Sequence, residues 1–152
     1  MTFTENQIVL LVTGLRRKGK KIVFTNGVFD ILHYGHIDYL TRARRLGDVL
    51  IVGLNRDSSV KKFKPSRPIQ DEKDRARILA ALKTVDYVVL FSEATPERLI
   101  RLIRPDILVK GADYKISEIV GADFVKSYGG VVKRIRYLKG RSTTAIIERL
   151  RS

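Results

Sequence analysis

Both histidines of the chain fall within four residues, His33-Tyr34-Gly35-His36, directly after a stretch that reads as a strand and where a helix pattern begins. Side chains three apart share a helix face, so the two imidazoles point toward the helix N-terminus, where free N–H groups and the dipole favour an anion. Gly35 lacks a Cβ and leaves room for a phosphate to approach the backbone. Two other readings compete. Histidines three apart can chelate a metal, but with no third His and no Cys in the chain a carboxylate such as Asp30 would have to complete the set. They can also be ordinary capping or surface residues. Neither explains the preceding Phe24-Thr25-Asn26-Gly27-Val28-Phe29-Asp30, a strand running into a glycine turn that brings further N–H groups to the strand's end.

There is no GxxxxGK[ST] loop and no GxGxxG after this strand, which argues against a P-loop NTPase and a dinucleotide-binding dehydrogenase. Phosphate binding would then rest on His, Lys and helix termini. A second cluster, Lys139-Gly140-Arg141-Ser142-Thr143-Thr144, opens the last helix with hydroxyls and free N–H groups. A third, Lys110-Gly111-Ala112-Asp113-Tyr114, follows a later strand. Taken together the three clusters are the equipment for holding a triphosphate.

The elements that must position them alternate in type. A helix over about Glu5–Arg17 leads to a strand at Lys21–Thr25 and a helix at Gly35–Leu46 whose Ile37, Leu40 and Ala43 share a face. Asp48–Leu54 is a wholly apolar strand, as in a parallel sheet covered on both sides. A lysine-rich loop, Arg56–Gln70, precedes a helix at Asp71–Lys83 and a strand at Asp86–Phe91. Thr95 then reads as a cap, with Pro96 at the first position of a helix ending at Ile103. Asp106–Lys110 is a strand, Ser117–Ser127 a helix, Val131–Tyr137 a strand, and Ser142 starts the closing helix. Five strands alternating with helices predict one α/β domain over residues 1–152, an open parallel sheet with ligands at the carboxyl ends of its strands.

The formal net charge is +14, from 30 Lys+Arg against 16 Asp+Glu. The cations are spread from Arg16 to Arg151 and recur on outer helix faces (Arg42, Arg45, Arg98, Arg101, Arg104), which reads as solvated surface and not as a nucleic-acid partner. The absence of cysteine excludes a disulfide framework and thiolate chemistry, as expected of a cytoplasmic protein. The apolar run Ile8–Val12 is too short to span a membrane, and its basic cluster follows it, unlike a signal peptide.

The blocks TNGVFDILHYGH (Thr25–His36), RLGDVLIVGLNRD, SRPI, TPERLI, PDILVKGADY and RSTT resemble the HxGH nucleotidyltransferase family, relatives of the cytidylyltransferases, and within it the adenylyltransferases that make ADP-heptose from heptose 1-phosphate and ATP. The resemblance implies a Rossmann-like three-layer sandwich and in-line attack by a sugar phosphate oxygen on the α-phosphorus of ATP. It implies that His33 and His36 act on the triphosphate, with Thr25, Asn26, Gly27, Phe29, Gly35, Lys110 and Gly111 around the nucleotide, and Ser142, Thr143 and Thr144 near its outer phosphates. Lys61, Lys62 or Lys64 would clamp the reacting phosphate or the acceptor, Arg75 would match a family arginine in the catalytic set, and Asp30, Asn55 and Asp113 would line the acceptor's side. Mg²⁺ is expected to ride on ATP with few protein ligands. Members often pair as dimers, for which the apolar opening helix offers a face, and a separate kinase would supply the sugar phosphate. Glycerol 3-phosphate or FMN as acceptor, with CTP or ATP as donor, remains the alternative. Tyr137, standing where the glycerol phosphate cytidylyltransferases have an arginine, weakens the CTP reading.

Overall fold

The computed structural model describes residues 1–152. Its strands are Thr2–Phe3 (β1), Ile22–Gly27 (β2), Val49–Asn55 (β3), Tyr87–Phe91 (β4), Ile107–Gly111 (β5) and Val131–Ile135 (β6). Its helices are Glu5–Arg17 (α1), Tyr34–Arg44 (α2), Asp57–Phe63 (α3), Glu72–Ala80 (α4), Glu97–Ile103 (α5), Ala122–Ser127 (α6) and Thr143–Arg151 (α7). The strands form one sheet in the order β1-β4-β3-β2-β5-β6, with every pairing parallel.

Three aspartates set the starting edge of this sheet. Asp48, Asp86 and Asp106 each precede an apolar strand, and their carboxylates accept the N–H of Lys21, Leu50 and Ile22, each at 2.7 Å. Each bond ties the base of one strand to its neighbour and fixes the register that carries the opposite ends to one level.

Side-chain alternation then divides the core. Phe24, Ile51, Val89 and Leu108 face α1, α5 and α6, whereas Val23, Val52, Val88 and Val109 face α2 and α4. Both faces are lined by buried apolar side chains, and each fully buried aliphatic contributes roughly 1.5–3 kcal/mol. The chain leaves β2 toward β3 on one side and arrives at β5 on the other, so the crevice between β2 and β5 is the topological switch point.

Several expectations are corrected. The sheet has six strands, not five, because Thr2 and Phe3 pair with Val88 and Val89; two residues are too few to show a period. The lysine-rich stretch is not all loop, since α3 occupies part of it, held at its start where the Asp57 N–H donates to Glu72 Oε2 at 2.8 Å. Pro96, not Thr95, takes the N-cap position of α5, and no side chain caps that helix. The helix expected over Ser117–Ser127 is divided into a 3-10 turn at Ile116–Glu118 and α6, with Gly121 at φ +84° between them. The strand at Val131 stops at Ile135, two residues before Tyr137. No helix is long and apolar enough to cross a membrane.

Candidate active site

The carboxyl ends of β2, β3 and β5 and the N-termini of α2 and α7 border a cleft of about 820 Å³, within the range of ordinary small-molecule sites. Its shape begins with the turn after β2. Phe29 sits at φ +48°, a left-handed conformation that costs a bulky residue on the order of 1–2 kcal/mol. Its ring folds back over Gly27, where a Cβ would lie 2.8 Å from Phe29 Cε2, and rests 5.4 Å from the His36 ring. The glycine is thus needed for the turn, and the turn supports the histidine.

His33 is the N-cap of α2 and His36 its third residue. The Gly35 N–H donates to His33 Nδ1 at 3.0 Å, and the His33 N–H donates to His36 Nδ1 at 3.3 Å. A neutral imidazole whose Nδ1 accepts must carry its proton on Nε2. Burial, with His33 adding to it, pushes His36 down to about 4. Burial and Arg141 also lower His33. Near neutral pH both rings therefore present Nε2–H donors, 3.9 Å apart between ring centroids.

The start of α7 lies beside them. Ser142 Oγ accepts the Ala145 N–H at 3.0 Å, leaving the Ser142 hydroxyl hydrogen free to donate. Thr143 Oγ1 donates to the Ile31 carbonyl at 3.1 Å, tying α7 to the turn before α2. A Cβ on Gly35 would come within 2.8 Å of His33 Cε1 and 3.0 Å of Arg141 Cβ. Two helix N-termini, two N–H imidazoles and a serine hydroxyl converge on one wall, an arrangement able to hold several phosphate oxygens. A cytidylyltransferase-like family model matches residues 24–149, which include both histidines and the Ser142 cap.

The chain belongs to the cytidylyltransferase-like family.

It is 60% identical over 136 residues to a protein of Syntrophotalea carbinolica named bifunctional protein HldE, covering 89% of this chain and 28% of that protein. It is 56% identical over 147 residues to one of the same name from a Nitratiruptor species, covering 96% of this chain and 31% of the relative. The chain thus spans under a third of the length of these curated relatives. A crystal structure of the lipopolysaccharide core biosynthesis protein from Thermoplasma volcanium superposes with a TM-score of 0.64 at 35% identity, covering 81% of this chain and all of that one.

In this cytidylyltransferase-like cleft the structure brings together His33, His36, Asn26, Gly27, Phe29, Asp30, Asn55, Lys64, Lys110, Asp113, Ser142, Thr143 and Thr144. Others expected in the site lie elsewhere. Arg75 is fully buried away from the cleft, donating to the carbonyls of Gln70 at 3.0 Å and Val28 at 2.7 Å and to Asp57 Oδ1 at 2.7 Å. Its guanidinium clamps the turn after β2 to the start of α3, a supporting position. Lys61 and Lys62 are exposed on the last turn of α3 and outside the cleft wall. Thr25 is buried behind it, bonded to the Tyr39 hydroxyl at 2.8 Å. Gly35 supports His33 from below, and a Cβ on Gly111 would overlap Tyr137. Asp30 lines the cleft, but its carboxylate accepts the N–H groups of Ile69 and Gln70 at 2.8 and 2.9 Å and lies 3.6 Å from Arg67, so it holds the loop.

Among the lining residues, Tyr39, Phe63 and Arg67 had no place in the sequence reading of the site. Tyr39 and Tyr137 stack with ring centroids 5.3 Å apart, and burial pushes the Tyr137 phenol up to about 12. Lys110 Nζ lies 5.1 Å above the Tyr114 ring, its pKa lowered by burial and partly restored by Asp113. Phe63, Arg67, Thr95 and Pro96 also line the cleft. Pro96 and Thr95 had a signal, since a loop at the carboxyl end of a strand borders such crevices. No three His, Cys, Asp or Glu side chains are grouped to hold a metal ion.

Proposed function

We propose that the chain transfers AMP from ATP to D-glycero-β-D-manno-heptose 1-phosphate, giving ADP-heptose and pyrophosphate. The observation that carries the reading is the meeting of two Nε2–H imidazoles with the N-termini of α2 and α7 in one cleft. Similarity to the bifunctional HldE proteins and to a lipopolysaccharide core biosynthesis protein supports the heptose acceptor. A sugar phosphate oxygen attacks the α-phosphorus as the bond to the β-phosphate breaks, and the electron pair leaves with pyrophosphate. The nucleophile is already an anion, so no base is required. Catalysis then consists of in-line positioning and of stabilising charge that moves onto the leaving group.

His33, His36 and Ser142 would face the β- and γ-phosphates, with exposed Thr144 at their edge. The stacked Tyr39 and Tyr137, with Tyr114, offer the base an aromatic wall. Lys64 and Arg67, on the opposite side, would meet the incoming sugar phosphate. Mg²⁺ would arrive on ATP and supply charge neutralisation there, since Asp30 is already taken and the cleft offers only Asp113 and Glu118 besides. With ATP as donor, the reading is of a cytoplasmic reaction. The kinase that supplies the sugar 1-phosphate lies outside these 152 residues, and a second copy of the chain is a further partner of the reading.

The test is pyrophosphate release from ATP or CTP with heptose 1-phosphate, glycerol 3-phosphate and FMN. Release with ATP and heptose 1-phosphate is expected. No release with that pair overturns the proposal, and release with CTP and glycerol 3-phosphate replaces it.

A further inference from the structure

Asn26 lines the cleft at the end of β2, and its Oδ1 is buried with no hydrogen-bond partner. Buried carboxamide oxygens without donors are rare and cost about 1–3 kcal/mol. The register explains why no protein group answers it. Asn26 pairs with Gly53, which has no side chain, and a Cβ there would lie 2.8 Å from Phe24 Cζ and 3.2 Å from Leu99 Cδ2, so no larger residue fits.

An acceptor oxygen cannot bind the oxygens of an ionised triphosphate, which only accept. It needs an O–H or N–H. Strand alternation places Asn26 on the α5 and α6 side of the sheet with Phe24, opposite to Thr25 and Tyr39 on the α2 side. Asn55 on β3 shares that face with Ile51, and Lys110 on β5 shares it with Leu108. Phe24 pairs with Leu108, so Lys110 stands two residues on, level with Asn26. Asn55 is fixed by its own bond from Nδ2 to Ser59 Oγ at 3.2 Å. In an in-line displacement the pyrophosphate departs toward the α2 and α7 N-termini, so the acceptor approaches from the other side, past this row.

We infer that Asn26 reads a hydroxyl group of the acceptor sugar, its Oδ1 accepting that hydroxyl's hydrogen, with Asn55 and Lys110 flanking it. The inference rests on the sugar phosphate reading above. The terminal torsion of asparagine is broad, so the carboxamide can turn about its last bond to present Oδ1 to a donor in the cleft. A site built to bond a hydroxyl rejects an analogue lacking it, because the protein's polar group is then left unpaired.

The experiment compares wild type with Asn26→Leu, which keeps the number and branching of the side chain's heavy atoms and removes the acceptor. Expected are a fall in kcat/KM for heptose 1-phosphate of roughly ten- to hundred-fold, a dissociation constant for a non-hydrolysable ATP analogue within about two-fold, and a melting temperature unchanged or raised. In a series of monodeoxy heptose 1-phosphates, wild type should lose a similar factor for one member, while Asn26→Leu is indifferent to that same deletion. Equal loss of ATP-analogue binding, an unchanged kcat/KM, or no deoxy analogue coupled to the variant overturns the inference. Wild type inactive with every sugar phosphate overturns the functional reading instead. Calorimetry with heptose 1-phosphate and the ATP analogue then judges Asn26 alone: binding lost in the variant supports it, and equal or absent binding refutes it.

Discussion

The backbone N–H of His33 donates to Nδ1 of His36 at 3.3 Å, so the cap that starts α2 also selects the tautomer of the ring that faces the cleft. The Nε2–H of His36 becomes a fixed donor without any carboxylate behind it. His36→Ala should lower kcat by at least about 100-fold, the scale of losing one oxyanion donor. His36→Gln, whose amide can place an N–H near the former Nε2, should retain more activity than Ala. Steady-state kinetics of pyrophosphate release measure both, and equal rates for Gln and Ala would refute the tautomer argument.

The low pKa of His36 links this cap to stability. The unfolded ring takes up a proton below about 6.5 and the folded ring only below about 4. Between these values the unfolded state binds more protons, so stability rises with pH and is lost as pH falls from 6.5 toward 4. His33, also lowered, acts in the same direction. The loss from His36 is at most about 3 kcal/mol, and less because the ring borders the open cleft. Urea midpoints measured across this range should fall with pH, and His36→Gln should flatten the slope. A triphosphate beside the rings favours their cations, so ATP binding near pH 6 should take up protons, read as a buffer-dependent enthalpy.

Much of the cleft was legible because its markers are local. His33, Gly35, His36 and the Ser142 cap sit in short motifs at predicted helix starts, and α2 and α7 begin there. What was hidden depends on distance or on too little pattern. Arg75 reads as a site cation, yet its partners Asp57 and Val28 are 18 and 47 residues away and draw it into the interior. In α3 only Ser59 and Val60 are buried, so it shows no apolar stripe and its first turn depends on Glu72, which follows 15 residues after Asp57. The unpaired oxygen of Asn26 arises from the register with Gly53, which no motif announces.

Arg75 carries its own prediction. Three of its donors reach Gln70, Val28 and Asp57 from a fully buried guanidinium. Arg75→Ala leaves two carbonyls and a carboxylate short of a partner, at a cost of about 3–5 kcal/mol. Arg75→Lys should recover little of this, since one ammonium cannot span three acceptors held by a planar fork. Urea denaturation measures the loss. A variant as stable as wild type but lacking kcat would instead make Arg75 a residue of the chemistry.

Lys64 separates from its neighbours for a geometric reason. Lys61 and Lys62 belong to the last turn of α3 and point to solvent, while Lys64 is the C-cap, where the chain leaves helical geometry at φ −136° and ψ 85° and turns into the cleft wall. There it stands with Arg67, whose guanidinium lies 3.6 Å from Asp30 and is thereby held to the turn after β2. All three lysines are exposed, but only Lys64 lines the cleft; a cation so placed interacts with an incoming phosphate at short range, whereas the two lysines outside the cleft add only to a field screened within about 8 Å at physiological salt. Lys64→Ala should raise KM for the sugar phosphate about ten-fold with ATP affinity little changed. Lys61→Ala and Lys62→Ala should each stay within about two-fold, the difference shrinking as salt is added. Equal effects at all three positions would mean that the segment repacks on binding and that the C-cap geometry does not decide which lysine meets the acceptor.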